Sequence, residues 1–352
     1  MELTNVLEKV AKKMTSIEEN GFEETCPIGI INIENWEWPQ GVGTYGLYKY
    51  YKELGKTEYK DYLNGWYDRQ IAKGLPGKNV NTMSPMLALM YLAEETGNET
   101  HLALCSEWAE WVITEMPQTT KENVLQHIVS GLTWHNQAWI DTLYMTVLFL
   151  AKAGMVFKRP DYIEEAKYQF LMHIKYLADK KTGLWFHVFN FEQNEDYGNI
   201  FWCRGNSWYT AGVCDFIEII GLEDGAIKEV LIETLIEQVK ALEKYQHKSG
   251  LWHTIIDDPT SYLESSGSAA FAYGILKAVR KGYIDKKYAE IGKKALVGVL
   301  ECVEEDGTVN KVSYGTGASK NPEDYKNIPL CPMTYGQALP IHLFIEAMNL
   351  NG

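Results

Sequence analysis

A single carboxylate, Asp141, stands in the chemically most suggestive stretch of the chain, which runs Trp-His-Asn-Gln-Ala-Trp-Ile-Asp-Thr-Leu-Tyr over residues 134–144. An apolar segment typical of a buried helix follows it, and His135, Trp139 and Tyr144 are close in sequence. The unpaired amides at a helix N-terminus favour a charged carboxyl group, whereas aromatic surroundings disfavour the charge and raise the pKa. A carboxyl group under both influences is suited to proton transfer near neutral pH. An N-cap or a buried ion pair would use the same residue type.

Loops of this kind, with aromatic and polar residues before an apolar segment, occur about six times. They lie at residues 36–41, 79–82, 134–141, 202–208, 262–266 and 332–337, and connecting segments at 183–187 and 250–253 add Trp and His. Helix N-termini attract anions, Arg204 offers a planar fork for a carboxylate, and tryptophans offer flat faces for rings. If the loops meet at one mouth, they predict a pocket for an acidic, ring-shaped, polyhydroxylated ligand.

The elements that must position these loops are helices of two alternating kinds. Charged, amphipathic helices are predicted at residues 3–19, 57–73, 99–115, 159–179, 224–246 and 284–303. Nearly uncharged helices, typical of complete burial, are predicted at 40–53, 83–96, 137–153, 205–220, 266–280 and 334–349. The alternation predicts an all-α fold, an (α/α)6 barrel that forms a single domain over residues 1–352. An open stack of helical hairpins is the alternative, but it would show a more regular period.

Composition excludes several classes of partner. The chain has 352 residues, 46% of them hydrophobic, and a formal net charge of −14 without a long run of Lys or Arg, so nucleic acid is not expected to bind. No segment approaches the roughly 20 apolar residues of a membrane span, and the N-terminal stretch resembles an amphipathic helix rather than a signal peptide. Six scattered cysteines predict reduced, mostly buried thiols. These features predict a cytoplasmic protein, a monomer or a homodimer, and the loops described above predict that its partner is a small acidic ligand.

Neither a metal nor an organic cofactor is predicted. His135, His187 and His253 lack the HxxxH or HExxH spacing of zinc sites. The glycine pairs at 41–43 and 315–317 are too short and unsuitably placed for a nucleotide-binding loop.

Four motifs together resemble glycoside hydrolase families 88 and 105. They are Trp-Ile-Asp-Thr-Leu-Tyr-Met from Trp139, Trp-Cys-Arg-Gly-Asn-Ser-Trp-Tyr from Trp202, Tyr-Leu-Glu-Ser-Ser-Gly-Ser-Ala from Tyr262, and Ser-Tyr-Gly-Thr-Gly from Ser313. The similarity extends from about Trp36 to the C-terminus and is closer to family 105, the unsaturated rhamnogalacturonyl hydrolases. The resemblance implies an (α/α)6 barrel that removes a 4,5-unsaturated uronic acid from lyase-generated oligosaccharides. Such enzymes hydrate the double bond, and the resulting hemiketal collapses and releases the neighbouring sugar.

The resemblance also implies roles for individual residues. Asp141 falls on the general acid/base, and its aromatic surroundings are expected to keep it protonated near neutral pH. Arg204 and Trp208 fall on the residues that hold the uronate. The other expected substrate-binding residues are Asn81, His135, Trp139, His187, Trp38 and Tyr335.

One position departs from family 88, whose members carry a second aspartate in the loop before the fourth helix. This chain has Asn81 there, which can orient a hydroxyl or a water molecule but cannot exchange protons at neutral pH. The difference favours family 105 and assigns Asn81 to substrate positioning. It is also compatible with a changed sugar preference or a reduced activity.

Three other functions compete with this hypothesis. An inverting glycosidase would pair Asp141 with a second carboxylate such as Glu264, roughly 6.5–9.5 Å away. A sugar epimerase would use two of the histidines as acid and base, and a sugar-binding protein that has lost its chemistry would explain Asn81. The sugar linked to the uronic acid is left open, although rhamnose would indicate pectin breakdown.

Overall fold

Helices dominate the structure, a computed structural model that describes residues 3–18 and 31–350. A π-helical turn, Leu143–Val147, leads directly into the seventh α-helix, and a 3₁₀ turn, Lys286–Tyr288, leads into the twelfth. In chain order the α-helices are α1 (Leu3–Met14), α2 (Trp38–Leu54), α3 (Thr57–Lys73), α4 (Val80–Met83), α5 (Met86–Thr96), α6 (Glu99–Thr114), α7 (Leu148–Val156), α8 (Pro160–Leu177), α9 (Cys203–Ile219), α10 (Ala226–Tyr245), α11 (Ser265–Arg280), α12 (Ala289–Leu300), α13 (Pro322–Lys326) and α14 (Thr334–Asn349).

Six of these helices form a closed inner ring. Each packs against the next in the order α2, α5, α7, α9, α11 and α14, and α14 returns to pack against α2. The second ring consists of α1, α3, α6, α8, α10 and α12, each of which packs against the outside of an inner helix. The inner helices are buried almost all round, as their uncharged sequences predict, so the (α/α)6 barrel is confirmed.

Short strands connect the loops at one end of the barrel. They are β1 (Ile128–Val129), β2 (Leu132–Thr133), β3 (Gln137–Trp139), β4 (Val188–Asn190), β5 (Glu195–Asp196), β6 (Trp252–His253) and β7 (Leu263–Glu264). All strand pairs are antiparallel. β1 pairs with β2, β6 pairs with β7, and β4 pairs with both β3 and β5. The pairing of Trp139 with Val188 joins the loop before α7 to the loop before α9.

Most predicted helix positions agree with the structure, and two boundaries do not. The helix predicted over 137–153 starts only at the π-helical turn, because residues Gln137–Trp139 satisfy their backbone by pairing with β4 instead. The first helix ends at Met14, and residue 19 of its predicted range lies outside the described residues. Cys105, Cys203, Cys214, Cys302 and Cys331 are free and buried as expected, whereas Cys26 is not among the described residues.

A buried charge cluster joins three inner helices at the end of the barrel opposite the loops. Asp215 of α9 lies 2.9 Å from Lys49 Nζ of α2 and contacts Lys277 of α11. The hydroxyls of Tyr273 and Tyr45 donate to the same carboxylate at 2.6 and 3.1 Å. Burial raises the pKa of Asp215, but the two lysines lower it by a larger amount. The pKa therefore ends well below its ordinary value, and the carboxylate is ionised. Lys277 lies in the last turn of α11, where positive charge is favoured. No helix within 3–18 or 31–350 is long and apolar enough to cross a membrane.

Small residues allow the inner helices to approach closely. A Cβ atom added at Gly274 of α11 would lie 2.0 Å from the backbone oxygen of Thr210 on α9. By contrast, a Cβ atom added at Gly65 of the outer helix α3 would meet only the Arg69 guanidinium, at 3.4 Å.

We therefore expect Gly274→Ala to lower the free energy of unfolding by about 1–3 kcal/mol or more, because α9 and α11 must move apart. Gly65→Ala is the matched control, and it should raise stability by about 0.5–1 kcal/mol through the gain in helix propensity. Urea denaturation followed by circular dichroism measures both values. Equal effects of the two substitutions would contradict the close packing of α9 on α11.

Candidate active site

The loops that precede the inner helices meet at one mouth of the barrel. Trp38 is the first residue of α2, Asn81 lies in α4, Arg204 is the second residue of α9, and Asp141 precedes the π-helical turn. Together they border one cavity at this mouth. The lining residues are Trp38, Asn81, His127, Val129, Leu132, Trp134, Trp139, Asp141, Met145, Trp202, Arg204, Thr316 and Gly317. The predicted shared mouth is therefore present.

Two side chains behind the cavity wall hold the Asp141 carboxylate. The Trp208 indole donates a hydrogen bond from Nε1 to Asp141 Oδ1 at 3.1 Å. His187 Nε2 lies 3.5 Å from Asp141 Oδ2, in contact with the carboxylate but too far for a good hydrogen bond. The other ring nitrogen of His187 lies 2.7 Å from the Tyr325 hydroxyl, which fixes the ring. Asp141 is thus oriented, with 16% of its side chain still exposed.

The pKa of Asp141 differs in direction from the prediction. Burial raises it as expected, but the His187 imidazole and the positive charge of Arg204 lower it more, so the pKa ends below its ordinary value. The raised pKa predicted from the neighbouring aromatic residues is therefore wrong for the unliganded protein. The cause is that His187 and Arg204 come from other loops and were not part of the local sequence.

Arg204 is a buried cation that uses only some of its hydrogen-bond donors within the described part of the protein. It is 2% exposed, and its Nη1 donates to Ser313 O and Ser313 Oγ at 2.7 Å and to the Tyr335 hydroxyl at 2.5 Å. Its guanidinium also stacks near the Trp202 ring at 4.4 Å. Within the part of the chain that the structure describes, Nε and Nη2 of this cavity-lining side chain have no hydrogen-bond partner. Its anchored geometry therefore presents free, coplanar donors suited to a carboxylate.

Aromatic rings form one wall of the cavity next to Asp141. The Trp139 ring stacks on His127 with centroids 4.2 Å apart, and Trp134 packs against it at 5.0 Å. Burial lowers the pKa of His127 to about 3, so this imidazole is neutral. His127 was missed in the sequence, because it precedes a two-residue strand and belongs to no motif.

The structure sorts the remaining predicted residues into three groups. Asn81, Trp139, Arg204 and Trp38 line the cavity, as does Asp141. His187, Trp208 and Tyr335 lie behind the lining and hold Asp141 or Arg204. His135 is exposed at the turn before β3, outside the lining, because the next residue, Asn136, has a positive φ of 57° and turns the chain there.

Glu264 and His253 do not contribute to the cavity. Glu264 is the N-cap of α11 and accepts backbone hydrogen bonds from Ser266 and Gly267 at 3.0 and 2.6 Å. His253 instead contacts the carbonyl oxygen of Ser261. Glu264 is thus a structural residue, which removes the expected partner of Asp141 in an inverting glycosidase. Within 3–18 and 31–350, no group of three or more His, Cys, Asp or Glu side chains is arranged to hold a metal ion.

Comparison with known proteins agrees with this geometry. The model of Glycosyl Hydrolase Family 88 matches residues 8–351. The chain belongs to this family. Unsaturated rhamnogalacturonyl hydrolase YesR of Bacillus subtilis (strain 168) is 35% identical to this family 88 protein over 341 residues, which cover 96% of each chain.

Solved structures show the same relationship. A possible member of glycoside hydrolase family 105 from Salmonella enterica serovar Paratyphi A superposes with a TM-score of 0.96 at 41% identity, covering 100% of this chain and 94% of the other. The unsaturated glucuronyl hydrolase of Bacillus sp. GL1 shares the fold, with a TM-score of 0.71 at 16% identity over 98% of this chain and 95% of the other. The resemblance drawn from the four motifs, closer to family 105, is confirmed.

The Trp208 indole should stabilise the charged form of Asp141 in this family 88 protein. A hydrogen bond to a charged group contributes about 1.5–3 kcal/mol, so Trp208→Phe, which retains a ring but not the donor, should raise the pKa of Asp141. Titration of the protein with ¹³C-labelled aspartate, followed by NMR, measures this pKa. Trp111→Phe on the outer helix α6 is the control and should leave it unchanged; an identical titration in Trp208→Phe would show that the indole does not act on the carboxylate.

Proposed function

We propose that this protein is a hydrolase that removes a 4,5-unsaturated uronic acid from the non-reducing end of lyase-generated oligosaccharides, with Asp141 as general acid/base. The observation that carries the proposal is the presence, in one cavity, of a single oriented carboxylate and a buried guanidinium with unused donors. A uronic acid supplies the carboxylate that Arg204 lacks as a partner. The similarity to unsaturated rhamnogalacturonyl hydrolase YesR supports the same reaction.

The reaction requires one proton donor rather than two carboxylates. Protonated Asp141 delivers its proton to carbon 4 of the double bond, and positive charge develops at carbon 5 and the ring oxygen. Water adds at carbon 5, and Asp141 takes back one proton from it. The resulting hemiketal opens, and the hemiacetal left at carbon 1 breaks down and releases the linked sugar. Overall one water molecule is consumed and Asp141 returns to its starting state.

Arg204 contributes to the protonation equilibrium of Asp141 in this mechanism, in addition to the larger effect of His187. In the empty cavity its positive charge helps to lower the pKa of Asp141. A bound uronate neutralises that charge and places a negative charge near Asp141, and both effects favour the protonated carboxyl group. The substrate carboxylate therefore generates the acid that the reaction needs.

Apolar residues of the cavity lining support a proposal for the linked sugar. They are Val129, Leu132, Trp134 and Met145, of which Leu132 is 48% exposed. Within the described residues, the charged side chains of the cavity lining are Asp141 and Arg204. We propose a neutral sugar with an apolar edge, such as the 6-deoxy sugar rhamnose, rather than a sulfated sugar that would require a cation.

Since the five described cysteines are free thiols, we also propose that the protein acts in the reducing cytoplasm.

Replacing Asp141 tests the reaction directly. Loss of a general acid typically lowers the rate by about 10²–10⁴-fold, so Asp141→Asn should lose at least that much of kcat on unsaturated galacturonyl-rhamnose. The conjugated double bond absorbs in the ultraviolet and hydration removes the signal, which provides the assay. Asp224→Asn, at an exposed surface position, is the control.

Three outcomes of that assay would contradict the proposal. Unchanged turnover by Asp141→Asn would exclude the assigned catalyst. Cleavage of saturated glycosides by the wild type would favour an ordinary glycosidase. Tight binding of unsaturated uronides without turnover of any of them would establish a binding protein.

The pH dependence should reveal the effect of the substrate charge. Because the pKa of free Asp141 is lowered, its protonated form disappears as pH rises through the acidic range, and kcat/KM should fall accordingly. The uronate raises the pKa in the complex, so kcat should fall at a higher pH than kcat/KM does. The methyl ester of the same substrate carries no charge and should show a smaller separation of the two profiles. Coincident profiles for the acid would contradict this control by the substrate.

A further inference from the structure

Tyr325 is a buried residue next to the site that the mechanism above does not use. It is the fourth residue of α13 and is 1% exposed. Its hydroxyl lies 2.7 Å from Nδ1 of His187, and Nε2 of the same ring faces the Asp141 carboxylate. Tyr325 therefore reaches the assigned acid through one imidazole, although it does not line the cavity itself.

Other contacts also hold the His187 ring in place. The ring packs against those of Trp139 and Trp202, with centroid distances of 4.7 and 4.4 Å. The backbone amide of His187 donates to Ile200 O at 3.2 Å, and its carbonyl oxygen accepts from the Ile140 amide at 3.4 Å. A phenylalanine at position 325 would retain the packing, so the distinct contribution of the tyrosine is its hydroxyl.

The partners of that hydroxyl determine the direction of its hydrogen bond to His187. The Ser319 amide donates to the Tyr325 oxygen at 3.4 Å, and a backbone N–H can only donate. Within residues 3–18 and 31–350, the other partner of the hydroxyl is His187 Nδ1. A buried O–H without an acceptor is costly, so the hydroxyl donates to Nδ1. Nδ1 is then an acceptor, and the neutral ring carries its proton on Nε2.

This tautomer directs an N–H group at the carboxylate. His187 Nε2 and Asp141 Oδ2 are both buried, and neither has a hydrogen-bond partner in the described part of the chain. They lie 3.5 Å apart, and catalytic contacts of this kind often shorten when a substrate binds. With the proton on Nε2, shortening produces a hydrogen bond to the charged carboxylate. The opposite tautomer would place two acceptors against each other.

We infer that Tyr325 is a positioning residue that keeps the His187 proton on Nε2, so that the imidazole stabilises the negative charge left on Asp141 when its proton moves to carbon 4. The inference rests on the proposed function. Trp208 donates to the other oxygen of the same carboxylate, so the two N–H groups together cover both oxygens. Donors that are fixed in advance where charge develops stabilise a transition state.

The pH profile of Tyr325→Phe tests this role, because the variant keeps the ring and loses the hydroxyl. In acidic solution Nδ1 is then free to hold a proton, and kcat should be about tenfold lower, roughly the effect of one hydrogen bond. In alkaline solution both proteins have the same tautomer, so their kcat values should converge. The fall of kcat with rising pH should accordingly occur up to about 1 pH unit higher in the variant.

The remaining charged and titratable groups around the Asp141–His187 pair are unchanged by this substitution. Arg204 of α9 and His127, directly before β1, both act on Asp141. Burial raises the pKa of Tyr325, so its hydroxyl keeps its proton throughout the assay. A change in the shape of the profile is therefore attributable to the hydroxyl.

Asp324→Ala is the matched control in the same short helix. This exposed carboxylate accepts hydrogen bonds from Ser319 Oγ and from Asn321 Nδ2, the latter at 3.3 Å. The substitution should lower the midpoint of thermal denaturation but retain the Tyr325 hydroxyl. We expect the shape of its pH profile to be that of the wild type.

Nitrogen NMR observes the tautomer without any turnover. In ligand-free protein labelled with ¹⁵N-histidine, the neutral His187 ring should carry its proton on Nε2, and His187→Gln assigns the signal by its absence. In Tyr325→Phe a proton on Nδ1 should appear at a higher pH than in the wild type. A neutral wild-type ring with its proton on Nδ1 would overturn the inference.

The outcomes separate this inference from the proposed function. If kcat of Tyr325→Phe falls by the same factor at every pH, or does not change at any pH, Tyr325 does not act through the tautomer and the inference is wrong. If the wild type turns over no unsaturated uronide, the proposed function fails. The NMR titration of the ligand-free proteins then decides whether Tyr325 sets the tautomer of His187.

Discussion

The burial of the Arg204 guanidinium is the constraint on which the mouth of the barrel depends. A buried cation is costly unless it is paired or fully hydrogen-bonded, and here Nη1 is bonded to the 313–314 segment and to Tyr335 of α14. These bonds attach the loop after α12 and the start of α14 to the start of α9. No acidic side chain is recorded in contact with the guanidinium among the described residues. Its position is therefore determined by neutral groups, and its charge is left for a ligand.

The charged groups at the two ends of the barrel differ in how completely they are paired. At the loop end, Arg204 and Asp141 face a cavity with few polar partners, and each retains capacity for further interaction. At the opposite end, Asp215 is saturated by two lysines and two tyrosine hydroxyls, and it connects α2, α9 and α11. The saturated cluster stabilises the ring, and that stability supports the incompletely paired charges at the other end. The tight packing of Gly274 against Thr210 belongs to the same rigid frame.

The sequence predicts the ring of helices better than it predicts the site. Helices that are buried on every side have a distinctive composition, so nearly uncharged segments such as 205–220 correspond closely to inner helices. The site depends on contacts between loops that are distant in sequence. Trp208 and His187 reach Asp141 from other loops, His127 lies outside every motif, and the turn at Asn136 directs His135 away. A prediction from local sequence treats neighbours in the chain as neighbours in space, which explains both the wrong position of His135 and the wrong direction of the pKa of Asp141.

The lowered pKa of Asp141 is consistent with acid catalysis once the charges of the complex are added together. The empty cavity contains one positive guanidinium and one negative carboxylate, and these stabilise each other. When a uronate enters, an ionised Asp141 would give the site two negative charges and one positive charge in surroundings that solvate ions poorly, which is unfavourable. Protonation of Asp141 restores neutrality. In the proposed mechanism the protonated form of Asp141 is therefore favoured when the uronate is bound, and a ligand without that charge, such as the methyl ester, would leave a larger share of Asp141 ionised at the same pH.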